Sequence, residues 1–124
     1  MTSKDFRRLA LKLPGAVEAE HMGHPDFRVN GKIFATLQYP NDAWGMVKLP
    51  PEQQDEFMRL HSEAFVPVKG AWGRQGCTSV KLEAAEPGVV ERALRLAWTR
   101  AGAEAKKPAK KRAARKTIKP GKGS

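Results

Sequence analysis

The chain has 124 residues, one cysteine and a formal net charge of +10 at pH 7. That length suits one domain with its own core. The lone cysteine rules out a disulfide framework or cysteine-based metal cluster, and no apolar run is long enough to cross a bilayer. The charge is lopsided: through Glu104 there are 14 Lys and Arg against 13 Asp and Glu, while residues 105–124 hold nine Lys and Arg and no acid.

Phe6, Leu9, Ala10 and Leu13 recur at helical spacing, which predicts a helix over Ser3–Leu13. Thr2 and Asp5 suit a capping box, and Pro14-Gly15 a stop. Alternation predicts a strand over Ala16–Met22, followed by a turn at Gly23-His24-Pro25-Asp26. Asn30-Gly31, between Phe27-Arg28-Val29 and Lys32–Leu37, predicts a tight hairpin. Tyr39-Pro40-Asn41-Asp42 is a second turn, and Ala43–Leu49 a third strand with apolar residues on both faces. Pro50-Pro51 opens a helix running to about His61, with Phe57 and Leu60 inward. Thr78–Leu82 is a further strand. Val90, Ala93, Leu94, Ala97, Trp98 and Ala101 give the last helix the cleanest periodicity in the chain, with Gly102 as its end signal. Helices segregated from a mostly antiparallel sheet describe a two-layer α+β domain over residues 1–104. Residues 105–124, basic and almost without large apolar side chains, are expected to stay disordered alone.

Between the second helix and the strand at Thr78 lies a glycine-rich stretch, with Gly70, Gly73 and Gly76 at equal spacing around Trp72 and Arg74. It matches neither the dinucleotide nor the triphosphate loop pattern. Two readings are open. In one, the stretch is a structural connection with Trp72 in the core; in the other, an exposed loop offers Arg74 and backbone amides to an anionic partner.

Taken together, Leu13-Pro14-Gly15-Ala16, Phe27-Arg28-Val29, Gly31-Lys32-Ile33-Phe34-Ala35, Lys48-Leu49-Pro50, Gly73-Arg74-Gln75-Gly76, Thr78–Leu82 and Ala97-Trp98 resemble the MmcQ/YjbR family over roughly residues 3–101. The resemblance implies a CyaY-like (frataxin-like) α+β fold and a DNA-binding role through sheet and loop elements. The family often carries an aromatic residue where this chain has Cys77.

The residues themselves raise three chemistries: metal binding, catalysis and nucleic-acid binding. His21 and His24 lack accompanying ligands, and the acids are scattered, so neither a metal nor a cofactor is expected. Cys77 has no histidine placed beside it in sequence and reads as a small buried hydrophobe. A non-enzymatic binding module is therefore the expectation. Its partner is nucleic acid, DNA first, with a protein partner or small ligand at the glycine loop as the alternative; a membrane is not expected. The setting is expected to be cytoplasmic, since the N-terminus has no secretory apolar stretch. In the body the candidate contacts are Arg28, Lys32, Lys48, Arg74 and Lys81. In the basic segment they are Lys106, Lys107, Lys110, Lys111, Arg112, Arg115 and Lys116.

Overall fold

The computed structural model describes residues 1–39 and 41–106, with side chains as far as Ala103. Helix α1, Ser3–Leu11, begins in the expected capping box. The Thr2 hydroxyl accepts from the Asp5 amide at 3.2 Å, and the Asp5 carboxylate accepts from the Thr2 amide at 3.0 Å. The helix ends before Leu13, which is nevertheless buried.

Strands β1 (Val17–His21) and β2 (His24–Val29) are joined by only Met22 and Gly23. Both take positive φ, 53° and 83°, so two residues reverse the chain. The turn expected over Gly23–Asp26 is thus shorter, and His24, Pro25 and Asp26 are strand residues. The Asn30-Gly31 hairpin forms as predicted, with φ of 52° and 82°, and leads into β3, Lys32–Leu37. A bulge at Phe27/Arg28 in the pairing of β2 with β3 leaves Phe34 without a partner in the register. Phe34 and Ala35, neighbours in sequence, are both fully buried.

Strand β4 spans Trp44–Lys48, and helix α2 spans Pro51–Leu60. Helix α2 buries Gln54 and Phe57 but leaves Leu60 58% exposed, against expectation. Its packed face is narrow: Phe57 sits against Phe65, ring centroids 5.2 Å apart, and the chain leaves the helix directly after Leu60. Strand β5 (Phe65–Pro67) and the short helix α3 (Ala71–Arg74) precede β6, Cys77–Lys81. After a 3-10 turn at Leu82–Ala84, helix α4 runs from Pro87 to Lys106. It buries Val90, Ala93, Leu94, Ala97 and Ala101. Gly102 does not take the left-handed conformation of a helix stop, so α4 continues past it.

The six strands form one sheet in the order β1-β2-β3-β4-β6-β5, with every pairing antiparallel. Helices α1 and α4 cover one face, and the core between the layers holds Phe6, Phe27, Phe34, Leu37, Val47 and Val80. The architecture is the two-layer α+β domain read from the sequence. No described helix is long and apolar enough to cross a membrane.

Candidate functional site

Strand alternation assigns the residues of the other, helix-free face. Phe27, Val47 and Val80 point into the core, so their neighbours point away from it. One row runs across the whole sheet in register: Ala19, Asp26, Thr36, Met46, Ser79 and Val66. His21 and His24 pair on the same face, as do Trp44 with Lys81 and Lys48 with Cys77. A groove of about 820 Å³ lies along this face. Its floor includes Ile33, Met46, Val66 and Cys77, and its walls include Met22, Tyr39, Trp44 and Trp72. Trp72 is 63% exposed and Tyr39 65%. Trp72 is therefore a wall of the groove and not core filling.

Among the described residues, Asp26 is the one carboxylate lining the groove, and it is almost fully buried. Arg28 donates to it twice, through Nε at 2.8 Å and Nη2 at 3.0 Å. This forked pair satisfies a carboxylate that burial would otherwise penalise heavily. The same hydrogen bonds push the Arg28 guanidinium further up from its ordinary range. Among the described residues, no group of three or more His, Cys, Asp or Glu stands together to hold a metal ion.

The glycine stretch is held from within. The amides of Arg74, Gln75 and Gly76 donate to the carbonyls of Gly70, Ala71 and Gly73, so they are not offered to an anion. A side chain on Gly73 would overlap the Val68 carbonyl, and one on Gly76 would overlap the Leu49 carbonyl. Gln54, buried on α2, donates through Nε2 to the Gly73 carbonyl at 2.8 Å and to that of Cys77 at 3.3 Å. Arg100 of α4 donates through Nη1 to the carbonyls of Leu49 at 2.6 Å and Gln75 at 2.8 Å. Trp72 thus projects from a loop fixed by two other elements.

Cys77 is buried. Burial pushes its thiol up from the ordinary value, and the neighbouring Lys48 and Arg100 only partly oppose that. Protonated and covered, it is a poor nucleophile. Alkylation of the native protein by iodoacetamide at pH 8 is expected to run about 100-fold slower than in urea, because reaction must wait for local opening. Equal rates would show an accessible thiolate and revive a catalytic reading.

The candidate contacts of the body are only partly gathered. Arg28, Lys48 and Lys81 share the helix-free face. Lys32 stands exposed at the hairpin tip opposite Val29, a core residue. Arg74 is exposed at the end of α3 but does not line the groove. Lys106 is the last residue of α4, while Lys107, Lys110, Lys111, Arg112, Arg115 and Lys116 lie outside the described residues. Met22, Tyr39, Trp44 and Asp26, which line the groove with Trp72, are candidates the sequence did not offer. The groove's sequence signal is the third strand, apolar on both faces although only one face meets helices.

The segments that carry the family resemblance are those that lock the layers together. The Trp98 indole donates to the Pro14 carbonyl at 2.8 Å, tying α4 to the corner after α1. Leu49 and Gln75 receive Arg100, and the Leu49 amide donates back to the Gly76 carbonyl at 2.9 Å. No curated protein matches the chain. Among solved structures, the crystal structure of Deinococcus radiodurans protein DR2400, a DUF419 domain, superposes with a TM-score of 0.72 at 18% identity. The match covers 89% of this chain and 85% of that one, and at such identity it speaks for the fold. The sequence pattern of the YjbR family matches residues 11–100, a span that takes in the Pro14 corner, the hairpin, the glycine stretch and the Arg100 clip, and the chain belongs to that family.

Proposed function

We propose that this protein binds DNA, chiefly through sequence-independent phosphate contacts from residues 105–124, with the folded domain adding shape or selectivity. The observation that carries the reading is the charge segregation: nine cations and no acid in the last 20 residues, beside a nearly neutral body. Cations held apart from acids pair with phosphates and release counterions, which gives affinity without sequence choice. If about half of them engage, log K falls with log salt at a slope of about −4.

Titration of a labelled duplex across salt tests this. Removing residues 107–124 leaves every described residue in place and takes away eight of the nine cations. The shortened protein is expected to lose most of its affinity and nearly all of the slope. Equal affinity with an equal slope would sink the reading.

A second reading has its own observation, the exposed Trp72 beside an apolar groove. It makes the protein a module for a partner or small ligand at the Gly70–Gly76 loop, without catalysis. Under it, Arg74→Ala alters ligand binding and removal of the basic segment changes nothing.

A further inference from the structure

Phosphate contacts from the basic segment leave the groove without a task, and its composition is specific enough to suggest one. It crosses the sheet over up to five inter-strand spacings, about 24 Å at the usual strand separation. Its volume of about 820 Å³ lies in the upper part of the range of ligand sites. Trp72, Tyr39 and Trp44 line it, and His24 meets Tyr39 edge-on with ring centroids 5.3 Å apart. Two of these aromatics, Trp72 and Tyr39, are left mostly in water, where they add little to the core.

Among the described residues that line the groove, the Asp, Glu, Lys and Arg are Asp26 and Lys69. Asp26 is taken by Arg28, which donates to it twice. Lys69 lines the groove, and Lys48 and Lys81 stand on the same face. An occupant that fits must be elongated, present flat apolar groups to the aromatics and carry negative charge alongside them. A duplex hides its base faces inside the stack, and an acyl chain has no flat group for an indole. An unpaired strand has both features: bases stack on aromatic side chains in any sequence, and phosphates follow the cations.

We propose that the helix-free groove takes the bases of a single-stranded stretch of nucleic acid, stacked on Trp72 and Tyr39, with its phosphates toward Lys69, Lys48 and Lys81. This rests on the DNA-binding reading and extends it. The basic segment holds any strand, and the groove selects unpaired bases.

The test uses the full-length protein and three probes of equal length: oligothymidine, an abasic deoxyribose-phosphate strand and a duplex. Oligothymidine is expected to bind about 10-fold more tightly than the abasic strand and to quench tryptophan emission. Trp72→Ala, at an exposed position, is expected to bring oligothymidine down to the abasic level while abasic and duplex affinities stay unchanged. Tyr39→Ala should act in the same direction. Equal binding of oligothymidine and the abasic strand, with the salt slope intact, overturns the groove assignment but leaves the phosphate reading standing. Binding of no strand at all overturns both. A fatty acid that binds the groove and that oligothymidine fails to displace assigns the site to an apolar ligand instead.

Discussion

Gly76→Ala is expected to lower folding stability by about 4 kcal/mol, among the larger effects of any single substitution. Two costs combine. Gly76 has φ of +112°, a region where a residue with a Cβ is strained by about 1–3 kcal/mol. The added carbon would also overlap the Leu49 carbonyl oxygen and crowd Nη1 of Arg100. That carbonyl cannot move freely, because Arg100 donates to it and the Leu49 amide is bonded to Gly76 in return. Urea denaturation followed by far-ultraviolet circular dichroism reads the loss as a lower midpoint at unchanged slope. Gly70→Ala is the control: φ is again positive, at +77°, but nothing lies within 4 Å of the new carbon. It should cost about 2 kcal/mol, the strain alone, since a ψ of −152° puts Gly70 in a region that is essentially glycine's. Equal losses at the two positions would show that backbone conformation, and not close approach, makes Gly76 necessary.

That contrast also explains what was legible in the sequence. The Asn30-Gly31 hairpin and the Thr2–Asp5 cap are local, their physics contained in four or five consecutive residues, and both formed as read. The periodicity of α4 was legible for the same reason, each buried residue being set by its own spacing. Strand β5 was not: three residues, one of them Pro67, are too few for alternation to register. The equal spacing of Gly70, Gly73 and Gly76 was visible, but its cause was not. It lies in carbonyls of Val68 and Leu49 that only the folded chain brings near. Arg100 and Gln54 carry no local signal of their roles, since their partners stand 25 to 51 and 19 to 23 residues away. The extent of the groove was not legible because it is assembled from residues of six strands, and a strand's exposed row is legible only once the other row is known to meet helices. Trp72 shows the limit most directly. Nothing local distinguishes a loop tryptophan that packs inward from one that walls a groove.

Arg100→Ala is expected to cost about 3 kcal/mol and to loosen the loop that carries Trp72. One guanidinium nitrogen donates to two carbonyls from different segments, Leu49 before α2 and Gln75 after α3. Hydrogen bonds from a charged donor contribute about 1.5–3 kcal/mol each, and removing the donor leaves both carbonyls to find water or go without. Leu49 is fully buried, so water reaches it only if the loop opens. The loss should therefore appear twice, as a lower urea midpoint and as faster hydrogen exchange at the amides of Arg74, Gln75 and Gly76, which close the loop on itself. Arg100→Lys keeps a charge but not the planar fork, and should fall between wild type and alanine on both measures. The exchange measurement separates a local clip from a general loss of packing. If exchange rises uniformly through β2, β3 and α4 and not first at residues 74–76, Arg100 contributes to the core as a whole, and the loop that presents Trp72 is held by Gln54 and the glycine backbone instead.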